Sequence, residues 1–276
     1  MLRAISTLIH IKKRLHPGLL DAMAQGGAQG IEVFAAREHF NYHEKEHVKE
    51  IGNWFKSGQV EFHSLHSPIY PSSDFRSGSP ALNIVDMDKR QRIEAMDEIK
   101  RAIEVAEYVP FRFMIQHIGR TDEADDPRKF EAALSSIEHL RAFARPLGVT
   151  LLIENTRSDL ATPEKIKELL KALHYPDLGV CFDTGHAHMM SSVHQAFDML
   201  ADRIRSTHVH DNRRDRDSHV WPGEGNIDWN QTMQSLRTAP NAPALLLEIE
   251  DYQGTDVAKK MTEAYGMLES AAVEAQ

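Results

Sequence analysis

Oxygen and imidazole side chains recur at the ends of short apolar runs throughout this 276-residue chain. The runs are EFHSLHSP, FMIQHIG, TLLIEN, VCFDTGHAH, IRSTHVHDN and ALLLEIE, and a loop after HVHDN adds RDSH. Histidine, aspartate and glutamate are the ligands of ions such as zinc and manganese. Glu154 and Glu248 end the runs Leu151-Leu152-Ile153 and Leu245-Leu246-Leu247, where a carboxylate is costly to bury unless a cation or a donor meets it. Asp183 and His186 have the spacing Asp-x-x-His; at a strand-to-helix turn they can reach one ion, or the aspartate can cap a helix whose histidines face solvent. His208 and His210 lie two apart in one run and so share a face, one free to bind metal while the other touches substrate. A lone histidine such as His117 is more often a hydrogen-bonded loop residue than a ligand. Taken jointly, the set points to metal-assisted chemistry before it points to any substrate.

Ligands at strand ends converge only if the strands lie parallel and side by side, as on the rim of a closed parallel barrel. The apolar pattern predicts strands near 2–8, 30–34, 60–66, 111–117, 149–154, 178–183, 204–210 and 244–249. Helical patterns separate them. Ile93, Met96, Ile99, Ile103 and Ala106 recur at three and four residues, and Thr162-Pro163-Glu164 opens another helix with a cap and a first-turn proline. The expected architecture is a single α/β domain, a (β/α)8 TIM barrel over 1–276. Period-two alternation turns Thr150, Leu152 and Glu154 inward, and groups Phe113 with Ile115 and His117, Cys181 with Asp183, and Ala244 with Leu246 and Glu248. The stretches 67–85 and 211–229, rich in Pro, Gly, Ser and charge, are the loops expected to carry specificity.

Lys and Arg number 32 against 41 Asp and Glu, a net charge of −9, which disfavours a polyanion partner held by electrostatics alone. The single cysteine, Cys181, has no internal disulfide partner and is expected to pack as a small hydrophobe in a reducing compartment. The opening MLRAISTLIHI is too short and interrupted to span a bilayer, and its basic cluster follows rather than precedes the apolar stretch. A cytoplasmic protein with no membrane association is expected; self-association into a homo-oligomer is left open.

The order HSP, H-x-G, I-E-N, D-T-G-H, H-V-H-D, D-x-H, P-G-E-G-x-I-D-W and L-x-E resembles the xylose-isomerase-like barrel superfamily, over about residues 30 to 250. That group holds sugar and sugar-phosphate isomerases and epimerases together with the AP endonuclease family 2 enzymes. In its ketose 3-epimerase branch the resemblance implies one divalent ion held by Glu154, Asp183, His208 and Glu248, with His186 and either Arg213 or Arg214 on substrate oxygens. In the endonuclease branch it implies three zinc ions, and His66, His117, Asp217 and His219 complete that larger set with His186. The 208–217 loop is shorter than the DNA enzymes usually have, and the chain is acidic.

The expectation is therefore a divalent-metal-dependent isomerase or epimerase of a carbohydrate, using manganese or zinc, with cobalt or magnesium as alternatives. Glu154 and Glu248 serve as the proton-transferring pair. Further pocket residues are His188, His210, Trp221, Asn155 and Asp211, each equally suited to stabilising a loop. The Pro222-Gly223-Glu224-Gly225 stretch reads as a tight turn rather than a phosphate cradle. Two other classes remain: a trinuclear-zinc phosphodiester hydrolase acting at abasic DNA, which would have to recruit Arg120, Arg157, Arg213, Arg214 and Arg216, and a barrel that only binds metal.

Overall fold

The alternation of apolar runs and amphipathic stretches builds eight strands: β1 Arg3–Ser6, β2 Gly30–Phe34, β3 Glu61–His66, β4 Phe113–Gln116, β5 Thr150–Glu154, β6 Gly179–Asp183, β7 Ile204–His208 and β8 Leu245–Leu247. The structure is a computed structural model that describes residues 1–58, 60–71, 81–250 and 256–271. The strands form one parallel sheet in the order β7-β6-β5-β4-β3-β2-β1-β8. Its two ends meet through a parallel bridge between Val209 and Leu247, where Val209 donates to the Leu246 carbonyl and accepts from the Glu248 amide. At this seam a side chain extends the backbone ladder: the Thr207 hydroxyl donates to the Ala244 carbonyl at 2.7 Å.

The helices are α1 Pro17–Gln25, α2 Lys45–Ser57, α3 Lys89–Ile103, α4 Pro127–Ala144, α5 Pro163–Leu173, α6 Thr184–Met190, α7 Val193–Leu200, α8 Trp229–Thr238 and α9 Val257–Ser270. Short polar caps start many of them. Thr162 accepts from the Lys165 amide ahead of Pro163 at α5, and Asp126, Asp228 and Asp256 do the same for α4, α8 and α9. The amphipathic stripe expected around α3 is narrower than its spacing suggests. Ile99 and Ile103 are buried, Ile93 is 42% exposed, and Ala106 belongs to a following 3-10 turn, Glu104–Glu107.

Side chains sort by strand face as alternation requires. Phe113, Ile115, Leu152 and Cys181 form a small cluster inside the barrel, and Ala4, Ala244 and Leu246 form another. Met114, Leu151, Ile153, Val180 and Phe182 face outward into the large core under the helices. Two register shifts break the simple count. Between β2 and β3 the pairing steps from Ile31–Phe62 to Glu32–Ser64, and between β6 and β7 from Val180–Ile204 to Cys181–Ser206. Each extra residue re-aims the side chains beyond it, so that Ser206 and His208 stand beside Cys181 and Asp183. The expected 67–85 loop is described only outside 72–80, and no helix among the described residues is long and apolar enough to cross a membrane.

Candidate metal centre

The strand ends bring Glu154, Asp183, His208 and Glu248 together, each with a ligand atom within 4.8 Å of the others'. His208 Nδ1 lies 3.2 Å from Glu154 Oε1, 3.3 Å from Glu248 Oε2 and 3.9 Å from Asp183 Oδ2. Glu154 also serves a second group through its other oxygen: Oε2 is 3.0 Å from His117 Nε2 and 3.5 Å from His66 Nε2. A third group combines His186, His210, Asp217 and His219. There Asp217 Oδ2 is 2.8 Å from His186 Nε2, and Asp217 Oδ1 is 3.4 Å from His219 Nε2. All nine residues expected for a multinuclear set thus converge on one rim.

The fit to divalent ions rests on how the second nitrogen of each ring is held. His66 Nδ1 donates to the Ser67 carbonyl, His186 Nδ1 to that of Asn155 and His219 Nδ1 to that of Glu248. A carbonyl only accepts, so each neutral ring keeps its Nε2 lone pair for a cation, the arrangement that orients metal-binding imidazoles. His208 is turned the other way, with Nε2 on Glu32 at 3.2 Å and the buried Nδ1 without a hydrogen bond. Asp217 Oδ1 is buried and without one as well. Orphaned donor atoms among nitrogen and oxygen ligands are what zinc or manganese would satisfy.

Electrostatics describe a site that holds protons in place of ions. Burial opposes the charge on Glu154, but His208 and His117 outweigh it and hold the carboxyl well below its ordinary range. Burial likewise opposes a charge on His186 and His208, and the surrounding acids overcome it and raise both well above an ordinary imidazole. His219 is pushed up to about 9 against burial by Asp217 and Glu248. Glu248 is pushed up to about 7, by burial first and by the neighbouring Glu154 charge. His210 and His117 go down, because burial dominates there.

Local structure explains how these side chains are held. Asp183 caps α6, its Oδ1 accepting from the His186 amide at 2.6 Å; the cap of the Asp-x-x-His reading is present, but His186 and His188 are buried rather than solvent-facing, and the Asp183 carboxylate also lies in the four-residue donor group. Asn155 ties the ends of β5 and β6 by accepting from the Asp183 amide and donating to its carbonyl. His210 stands against Asp183, with Nε2 3.1 Å from both carboxylate oxygens, and stacks on His219 at 3.7 Å. A Cβ on Gly185 would come within 2.0 Å of the His210 ring; the absence of that atom lets the ring lie across the turn.

The other expected pocket residues stand apart from the donor groups. His188 pairs with Asn226 at 2.7 Å, and Trp221 is buried in the large core. Arg213 and Arg214 are exposed, donating to the carbonyls of Glu224 and Ser191. Arg120 and Arg157 pair with Asp86 and Asp122, and Arg216 is exposed. Asp211 is a loop anchor: it accepts from the amides of Asn212, Gly223 and Ile227 and from Trp229 Nε1. With Gly223 at φ +91°, the Pro-Gly-Glu-Gly stretch is a tight turn fastened to that carboxylate. One residue of the site escaped the sequence reading, Glu32 in Gly-Ile-Glu-Val-Phe, although an acid in an apolar strand run is the signal that singled out Glu154 and Glu248.

The family profile described as xylose isomerase-like TIM barrel matches residues 20–271. The Methanocaldococcus jannaschii protein MJ1614 is 26% identical over 180 residues, which cover 63% of this chain and 66% of that protein. The chain thus spans slightly under two thirds of that relative's length. Fructoselysine 3-epimerase of Shigella flexneri is 23% identical over 216 residues, 76% of each chain. Among solved structures, a D-tagatose 3-epimerase-like protein superposes with a TM-score of 0.81 at 21% identity, covering 98% of this chain and 97% of its own.

Proposed function

The chain belongs to the xylose isomerase-like TIM barrel family, and from that premise we propose that it is a cytoplasmic, divalent-metal-dependent isomerase or epimerase of a sugar, sugar acid or related polyol derivative. The observation that carries this reading is the pairing of Glu154 and Glu248, whose carboxylates approach one buried imidazole nitrogen, His208 Nδ1, at 3.2 and 3.3 Å. Two carboxylates at one rim can exchange a proton with the carbon beside a carbonyl, one taking it and the other returning it. A divalent ion held by Glu154, Asp183, His208 and Glu248 would polarise the substrate's carbonyl and hydroxyl oxygens. His186 and His210, beside the donor set, would then meet further hydroxyls, whereas His188, Trp221, Arg213 and Arg214 are engaged elsewhere and would reach a substrate only if the 211–229 loop rearranged around it. The names of two relatives, a fructoselysine 3-epimerase and a D-tagatose 3-epimerase-like protein, support a carbohydrate substrate.

The test is a reaction in heavy water on ketose substrates with manganese, zinc, cobalt or magnesium supplied. Solvent deuterium should appear at the carbon next to the carbonyl. Turnover without it would replace two-base proton transfer by internal return or hydride shift.

One observation favours a second reading, phosphodiester hydrolysis. Glu154 presents one oxygen to each of two donor groups, and the third group lies alongside, more ligands than a one-ion epimerase needs. Purified protein should carry one to three divalent ions, a count near three favouring hydrolysis. The net charge of −9 and the outward placement of Arg213 and Arg214 argue for weak binding to abasic duplex and no useful incision. Incision at low enzyme concentration and physiological salt would reverse the preference.

A further inference from the structure

Glu32 lies on β2, fully buried, and outside all three donor groups. Its neighbours along the strand, Ile31 and Val33, face the apolar core. Two groups meet its carboxylate: the Ser64 hydroxyl donates to Oε2 at 2.8 Å, and His208 Nε2 stands 3.2 Å from both oxygens. The register shift that pairs Glu32 with Ser64 creates this contact, and the shift on β7 places His208 across the barrel from it. A buried carboxylate without such partners would be strongly destabilising.

We propose that Glu32 is the positioning residue of the metal centre, holding the His208 ring in the orientation and tautomer that present Nδ1 to Glu154, Asp183 and Glu248. An ionised carboxylate only accepts hydrogen bonds, so the proton of a neutral His208 sits on Nε2 and the lone pair on Nδ1. Nδ1 is the buried nitrogen that has no hydrogen bond. His66, His186 and His219 use backbone carbonyls for this purpose; His208 alone among these four uses an acid. A carboxylate partner also raises the basicity of the ligating nitrogen more than a carbonyl does. The Ser64 hydroxyl occupies one lone pair of Glu32 Oε2 and limits rotation of the carboxylate.

This inference rests on the ion-binding part of the proposed function, and the experiment separates the two. Zinc affinity is measured by competition with a chromogenic chelator for the full-length protein, for His208→Ala, which identifies the binding step that His208 serves, and for Glu32→Gln. Glutamine keeps the shape, but its amide can donate to Nε2 and drive the proton to Nδ1. Affinity at the His208 step is expected to fall about 10- to 100-fold in Glu32→Gln, with the melting of the zinc-free protein retaining a single cooperative transition. Wild-type affinity in Glu32→Gln would overturn the role of Glu32 while leaving the metal centre intact. Absence of any zinc binding by the wild type would overturn both. Should the variant not fold, imidazole 15N spectra of the zinc-loaded wild type decide the matter: a His208 proton on Nε2 is expected, and one on Nδ1 overturns the assignment.

Discussion

Glu154 and Glu248 differ in what else they touch, and their variants should differ accordingly. Glu248 contributes one oxygen to the four-donor group, whereas Glu154 serves two groups with separate oxygens. Glu248→Gln should retain bound ion and lose about two orders of magnitude or more in turnover, the scale of a lost general base. Glu154→Gln should lose turnover and also weaken ion retention, because a glutamine offers a single carbonyl oxygen where two carboxylate oxygens were in use. Metal analysis after dialysis, beside steady-state rates, checks both. Near-normal turnover in a metal-replete Glu248→Gln variant would remove that residue from the chemistry. These acids are legible from sequence because burial of charge beside Leu-Leu-Ile and Leu-Leu-Leu needs a reason, and Glu32 meets the same criterion. The contact of His210 with Asp183 is not legible. It depends on how the chain turns after β7 and on the missing Cβ of Gly185, and nothing in the local spacing encodes it.

At the scale of elements, Asp183 caps α6 and is proposed to hold the ion as well, and two substitutions separate these duties. Asp183→Asn keeps an oxygen for the His186 amide and should melt close to wild type when ion-free, yet bind ion poorly. Asp183→Ala loses the cap too, at a cost of about 1 kcal/mol in the ion-free protein. Equal melting temperatures for the two ion-free variants would show that the cap contributes nothing. The loop 211–229 has its own anchor in Asp211. A Cβ on Gly225 would fall 2.1 Å from Asp211 Oδ1, so Gly225→Ala should destabilise by about 1–3 kcal/mol, the range for overpacking, read from chemical denaturation. The strand pattern predicted which residues share a face on β4, β5, β6 and β8, because alternation is dictated by backbone geometry. The two register shifts were invisible to it, since a bulge arises from pairing between distant strands. The strands also end sooner than apolar content suggests: Val209 makes one bridge, and His210 belongs to the rim.

For the whole molecule, the protonation of the centre makes the pH dependence of stability differ with and without ions. Glu248, raised from 4.5 to about 7, binds a proton more tightly when folded, so stability of the ion-free protein falls as pH rises between those values. His219, raised from 6.5 to about 9, contributes stability that is fully present below 6.5 and lost as pH rises through 9. His186 and His208 are shifted in the same direction. Melting temperatures in chelator should therefore decline from about pH 7 to 9. With saturating zinc the trend should weaken or reverse, because ions replace the protons and bind better as protons leave. Parallel curves with and without zinc would mean that the ions sit elsewhere.

The seam between β7 and β8 gives the ions a second consequence, one of kinetics. His208 ends β7 and Glu248 comes directly after β8, so an ion gripping both is a cross-link over the place where the sheet's two ends meet, a join that the described backbone makes through a single bridge. Opening there requires the ion to leave or the cross-link to strain. Amide hydrogen exchange at Val209 and Glu248 should then slow by orders of magnitude on zinc binding, while amides in the β4–β5 ladder, already closed by regular pairing, change little. Metal occupancy would thereby set how often this seam opens, a local event distinct from unfolding of the whole barrel.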